Sequence, residues 1–268
     1  MNIVIAPVDF SPASDNALLF AVEICKRSSS RLLIVNISGT GKEEEAKAVA
    51  GLQRKKSEIE KITTSGLFCE TLALHGSLTT VLTKLIDDRN PSLVVMGTKG
   101  ASGLKKILIG SNTVNLLAKT KAPVLVIPEK ATFNDFLLTA KNRIVLATDL
   151  HGLTNMNVLS VIKEMALLMK EPKVRVLNVR PPHTELYDVT KLERSAIVHY
   201  FNPEINSEYA TVFGNTVMGG IKFYLDDHPD TGLVAMIAND SGALIEKHYS
   251  REMASHTDYP LLVLHDVK

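Results

Sequence analysis

The sequence has no excess of either charge, no cysteine framework and no long apolar run, and each absence narrows what the chain does. Thirty Lys and Arg against 29 Asp and Glu leave a net charge of +1. No basic field exists to hold a nucleic-acid backbone or an anionic bilayer, so neither is expected as a partner. Cys25 and Cys69 are the only cysteines. Without CxxC spacing they read as buried free thiols, which fits a reducing cytoplasm. No run of about 18 apolar residues is present to span a membrane. Met1 leads straight into the strand-like Asn2 to Val8, without a basic segment and a long apolar stretch, so no export signal is expected. The eight histidines show no HExxH or other ligand spacing, and no metal site is assigned.

What is present is an ordinary globular composition, 45% hydrophobic and 22% charged, in 268 residues. That length suits one large domain or two of about 130–140 residues. The stretch Ser92 to Pro128 organises the rest. Ser92 to Met96 is a short β-branched apolar run of the kind buried on both faces of a parallel sheet. Gly97, Gly100 and Gly110 follow, and Ser111 stands as N-cap before the helical spacing of Val114, Leu117 and Ala118. Glycines here let backbone N–H groups approach an anion, and the start of a helix adds positive potential. Ser102 and Ser111 supply hydroxyls, and Lys99, Lys105 and Lys106 supply charge. The combination suits a polyphosphate.

Upstream, Asn2 to Val8 reads as a strand ending in Asp9, and Ser11-Pro12 as an N-cap and first helical residue. Ala17, Leu18, Ala21, Ile24 and Cys25 form an apolar helical stripe. Arg31 to Ile37 is a second strand. The Gly41-Lys42 that follows is not a Walker loop, because Asn36 stands where the first glycine belongs and Glu43 where Ser or Thr belongs. Val49, Leu52, Ile59 and Ile62 predict an exposed amphipathic helix over Lys42 to Ser65. Phe68 to Leu74 is a third strand, and the stripe Leu78, Val81, Leu82, Leu85 and Ile86 stops at Asn90-Pro91. Strands alternating with helices predict a doubly wound parallel α/β sheet, whose ligands sit at the strand C-terminal ends. Asp9, Ile37 and Gly97 lie at such ends.

The second half repeats the first. Asp149 in RIVLATDL stands 140 positions after Asp9, LLIVNI returns as VRVLNV, Gly76 as Gly214, Val94-Val95-Met96 as Val234-Ala235-Met236, and Pro123-Val124-Leu125-Val126 as Pro260-Leu261-Leu262-Val263. The helical stripe Val158, Leu159, Ile162, Met165, Ala166 and Met169 supports the duplication. The glycine loop is not repeated. Ile237-Ala238-Asn239-Asp240-Ser241-Gly242 is three residues shorter, and Lys247-His248 replaces Gly110-Ser111. A carboxylate at Asp240 would repel phosphate, and side chains in place of glycine would block the backbone. Asp149 alone does not make a site. Pro181 to Pro203 has no counterpart signature in the first half and reads as a packed surface helix.

Gly, two residues, Gly, nine residues, Gly and Ser, closed by APVLVIP, resembles the nucleotide-binding signature of the universal stress protein family. The resemblance implies two tandem α/β domains, each a five-stranded parallel sheet in the order 3-2-1-4-5, paired as an intrachain pseudo-dimer through their last strands. The domains would be 1–128 with the nucleotide motif and 143–268 in degenerate form, joined by a linker over 129–142. It further implies that ATP is held with Mg2+ bound through its phosphates. Asp9 would help hold the adenosine moiety, the backbone of Ile37 would meet adenine, and Gly97, Gly100, Gly110, Ser111 and Asn112 would form the ribose and phosphate loop. The function expected is a nucleotide-responsive regulator or scaffold in a cytoplasmic stress response, with unidentified protein partners and homodimerisation left open. The alternatives are a slow ATP hydrolase and a ligand-free interaction scaffold. Hydrolysis ranks lower, because no carboxylate pair, Ser-His-Asp set or arginine finger can be assigned near Gly97 to Ser111. The Ser-Gly-Gly-x-Asp-Ser loop of related ATP pyrophosphatases is also absent.

Overall fold

The computed structural model describes residues 2–63, 66–98, 111–133, 142–148, 153, 155–182, 188–239 and 259–266. The chain divides into two compact units, with the change at Lys130 and Ala131. The first holds β1 (Ile3–Pro7), α1 (Pro12–Ser28), β2 (Arg31–Ser38), α2 (Lys42–Ile62), β3 (Cys69–His75), α3 (Leu78–Arg89), β4 (Leu93–Gly97), α4 (Ser111–Lys119) and β5 (Val124–Ile127). Its strands lie in the order β3-β2-β1-β4-β5, all parallel. This is the order expected, and helices make the crossovers that parallel neighbours require.

The central strands are apolar throughout because both of their faces are covered. Val4, Ile5, Val94, Val95, Val124 and Leu125 are wholly buried, and Phe20, Ile24 and Leu82 reach them from the helices. Helix α1 starts as its sequence dictates. Ser11 Oγ accepts the Ser14 amide at 3.3 Å, and Pro12 occupies the first turn. Ser29 ends it in the left-handed conformation, as Asn90 ends α3.

One expectation needs correcting. Helix α2 buries Ala48, Leu52 and Ile59, whereas Val49 and Ile62 are 45% and 57% exposed. The buried face is rotated because Lys55 sits on it, drawn to Asp15 of α1 at 3.0 Å and to Glu58 at 3.1 Å. Burial alone would lower the Lys55 pKa, but the hydrogen bonds to Asp15 and Glu58 outweigh it and hold it above its usual value.

The second unit repeats the plan with β6 (Arg143–Ala147), a 3-10 turn (Met156–Leu159) leading into α5 (Ser160–Leu167), β7 (Lys173–Arg180), α6 (Asp188–Phe201), β8 (Asn206–Phe213), α7 (Val217–Asp227), β9 (Thr231–Asn239) and β10 (Leu261–Asp266). Its order, β8-β7-β6-β9-β10, is the same 3-2-1-4-5. Leu159, Ile162, Met165, Ala166 and Met169 are buried as the stripe predicts. Helix α6 is the crossover between the second and third strands, the place α2 fills in the first half. The topology is shared although the sequences are not.

Candidate functional site

The C-terminal ends of β1, β2 and β4 lie side by side, since β1 runs between the other two. At the end of β1 the Val8 amide donates to Val35 O at 2.8 Å, the last rung of the β1–β2 ladder in this direction. The chain then turns sharply. Asp9 Oδ1 accepts the Ser11 amide at 3.0 Å, and the Asp9 amide donates to Ser14 Oγ at 3.3 Å. The Asp9 carboxylate is thereby fixed at the mouth of the strand ends while remaining exposed.

Phe10 holds that turn in a left-handed conformation, φ 62°, which is strained for an aromatic residue. Its ring is seated against Gly51 of α2, where any Cβ would stand 2.5 Å from the ring. Gly51 therefore positions the turn that carries Asp9. Sequence reasoning missed it, because a lone glycine in a charged helix carries no signal of its distant partner.

Ile37 is half-buried near the end of β2 and in register with Leu74 of β3. Ser38 O accepts the Gly76 amide at 3.0 Å, so Ser38 faces β3. Strand alternation turns the peptide groups of Ile37 the other way, toward the side on which β1 has already ended. Asn36, 6% exposed, donates from Nδ2 to Val8 O at 2.8 Å and ties β2 to the last turn of β1. Its Oδ1 is buried without a hydrogen bond. This clamp was also missed, although Asn36 lies inside the repeated LLIVNI.

Gly97 ends β4 against the first turn of α1, where a Cβ would stand 2.7 Å from Ala13 O. The glycine is demanded by this approach of strand to helix, whatever the loop beyond it does. Thr113 Oγ1 donates to Gly97 O at 3.2 Å and fastens the start of α4 to the same strand end. Helix α4 begins at Ser111, and Asn112 is exposed on its first turn. The first N–H groups of a helix have no partner within it and attract negative charge. Gly100 and Gly110 lie outside the described residues, as does the Ser111 side chain. Of the predicted set, Asp9, Ile37 and Gly97 thus stand at three neighbouring strand ends, and Asn112 on the helix start fastened to the last of them.

The rejected phosphate loop is accounted for by its helix. Gly41 precedes α2, and Glu43, Glu44 and Glu45 occupy the first turn, where acidic side chains complement the helix dipole. His75 Nδ1 lies 2.8 Å from Gly39 O and braces the turn. No group of three or more metal-ligating side chains occurs among the described residues. Cys25 and Cys69 are both buried and free. Burial, with repulsion from Cys69, pushes the Cys25 thiol up to about 12; burial pushes Cys69 up to about 11. Neither is a nucleophile at neutral pH.

The same strand ends recur in the second half with one difference. Thr148 N donates to Leu177 O at 3.0 Å, Asn178 Nδ2 to Thr148 O at 2.8 Å and Gly214 N to Arg180 O at 2.9 Å, matching Val8, Asn36 and Gly76 bond for bond. However, β9 continues past Ile237, the counterpart of Gly97, and pairs Ala238 and Asn239 with His265 and Asp266. In the first half β4 ends at Gly97, whereas in the second the strand goes on for two more residues. Asp149, Asp240 and Lys247-His248 lie outside the described residues.

A parallel doubly wound sheet with helical crossovers, found in each half, defines a protein of the α/β class. The model of the universal stress protein family matches residues 1–128, so this part of the chain is similar to that family. A universal stress protein of Methanocaldococcus jannaschii is 32% identical over 79 residues, 30% of this chain and 47% of that protein. An uncharacterized protein of Schizosaccharomyces pombe is 32% identical over 152 residues, 51% of this chain and 25% of that protein. The chain therefore spans less than half the length of each of these two relatives. The crystal structure of a universal stress protein from Archaeoglobus fulgidus matches with a TM-score of 0.76 at 18% identity, covering 99% of both chains. At that identity the likeness is one of fold, and it extends over both halves. No described helix is long and apolar enough to cross a membrane.

Proposed function

We propose that the first half, residues 1–128, binds ATP in the crevice at the ends of β1, β2 and β4, and that the chain is a nucleotide-responsive regulator or scaffold of a cytoplasmic stress response. The observation that carries this reading is the convergence of Asp9, Ile37 and Gly97 at three adjacent strand ends, with the start of α4 fastened to the last of them through Thr113. The residues present fit such a ligand. The Ile37 peptide faces the open side of β2 and is disposed to meet an adenine edge, and the exposed Asp9 carboxylate suits ribose hydroxyls. The start of α4, with Asn112 and the glycines at 100 and 110, suits phosphates, whose oxygens would carry Mg2+. Residues 143–268 are its degenerate partner: a strand occupies the position at which a phosphate loop would begin.

Calorimetric titration of nucleotide-stripped protein with Mg-ATP tests the reading. One site per chain is expected, and replacing Gly110 with a bulky residue should abolish it while the circular dichroism spectrum is unchanged. No binding to the wild-type chain, or unchanged affinity in the variant, overturns the assignment.

A further inference from the structure

The other end of the second sheet holds a concentration of charge that the nucleotide reading does not use. Arg143 opens β6, and Lys173 and Arg175 lie on β7, with Arg143 and Lys173 paired in register. Register partners on adjacent parallel strands share a face about 4.8 Å apart, and residues two apart on one strand share it too. Three cations therefore crowd one patch of sheet. With Val174, Asn206 and Glu208 they line a cavity of about 180 Å³, the liquid volume of about six waters.

Two carboxylates answer the three cations. Asp230 receives Arg143 Nε at 3.0 Å and Nη2 at 2.7 Å, and Arg143 Nη1 donates to Tyr224 OH at 3.4 Å. Tyr224 is in turn stacked on His228, ring centroids 3.9 Å apart. Arg143 is thus held in one orientation, its side chain 12% exposed. Glu208 pairs with Arg175 from the neighbouring strand and is itself well exposed. Lys173 acts on Asp230 electrostatically and makes no salt bridge among the described residues. The cluster is left with one uncompensated positive charge inside a concavity. Its guanidinium donors exceed the acceptors they meet, since each guanidinium carries five N–H groups.

Side-by-side like charges weaken a sheet, and the first half avoids them. In the register-equivalent places β1 and β2 carry Ile3, Arg31 and Leu33. The second half carries arginines, Arg143 and Arg175, where the first carries the apolar Ile3 and Leu33.

We propose that Arg143, Lys173 and Arg175 form an oxyanion site at the N-terminal ends of β6 and β7, and that its ligand is a small phosphate-bearing molecule. A planar guanidinium presents paired donors that match phosphate oxygens, Lys173 adds a mobile point charge, and the cavity limits the ligand to a phosphate and a few further atoms. The site lies at the opposite strand ends from the proposed nucleotide crevice and in the other half of the chain. Its existence does not depend on ATP binding.

The test is titration of the full-length protein with inorganic phosphate at constant ionic strength, read from the side-chain Nε–H NMR signals of Arg143 and Arg175. That readout is local, so phosphate at the glycine loop does not register. Saturable shifts are expected. Lys173→Glu should weaken binding about tenfold or more, and Glu208→Gln, which releases the donors of Arg175, should tighten it several-fold. Shifts that fail to saturate, or equal affinity in the wild type and both variants, overturn the site. Tighter saturation by malonate than by phosphate overturns the choice of ligand.

Discussion

The two halves share a scaffold and differ at opposite ends of it. In the first, β4 stops at Gly97; in the second, β9 runs on to Asn239. At the other end, the first half keeps Ile3 and Leu33 where the second has Arg143 and Arg175. What both halves preserve is the frame: the Asn36 and Asn178 clamps and the Gly76 and Gly214 turns. Duplication thus fixed what positions a site, and each copy was free to change what the site holds.

The sharpest way to break this comparison is to give the first half the second half's residue. Gly97→Ile drives a side chain into Ala13 O, already 2.7 Å from an ideal Cβ, and should cost on the order of 3 kcal/mol, the upper range for overpacking. Hydrogen exchange followed by mass spectrometry should show the loss in peptides of β1, β4 and α1, and not in β6 to β9. Equal protection in variant and wild type would mean that Gly97 is not needed for packing.

Alkaline titration should separate the halves next, because both cysteines lie in the first. Their folded-state values, about 12 for Cys25 and about 11 for Cys69, stand above the ordinary thiol value of 9.0. The stability they contribute is complete below pH 9 and is lost as pH rises toward those values. The slope is up to about 1.4 kcal/mol per pH unit for each thiol. The second half has an acid counterpart. Asp230 is half-buried, which raises its pKa, but the hydrogen bond from Arg143 outweighs this and holds it below its usual range. That contribution is present above the ordinary carboxylate pKa and is lost as pH falls through the depressed one. Denaturation profiles should therefore lose the first half first in base, and Cys25→Ala should flatten the alkaline limb.

Asn36→Ala and Asn178→Ala should have like effects, about 1–2 kcal/mol each, since each strips the carbonyl after a first strand of its side-chain donor. Unequal losses would show that the clamps are not equivalent. Smallest should be Lys47→Ala. The exposed Lys47–Glu43 pair on α2, 2.6 Å apart, should be worth no more than about 0.5 kcal/mol in thermal unfolding.

Much of the fold was legible. Apolar β-branched runs spaced by amphipathic stripes gave the strands and crossovers, and the 140-residue offset between Asp9 and Asp149 gave the duplication. The buried face of α2 was not, because Lys55 is counted as polar in any periodicity and only Asp15, forty residues away, explains its burial. Of the candidate site, Asp9, Ile37 and Gly97 could be placed at strand ends from sequence. Gly51, Asn36 and the arginine cluster could not, since each acts on a partner distant in sequence.

What the sequence by itself determined is local and periodic: which segments are strands, where Ser11 and Pro12 start a helix, and that the plan occurs twice. Propensity, capping and alternation operate over a few residues and can be read along the chain. Tertiary structure alone decided that Gly97 is required by Ala13, that Gly51 seats Phe10 beneath the Asp9 turn, and that Arg143, Lys173 and Arg175 meet in one cavity. Those facts depend on strand register and on helix approach, which set distances between residues that the linear order leaves far apart.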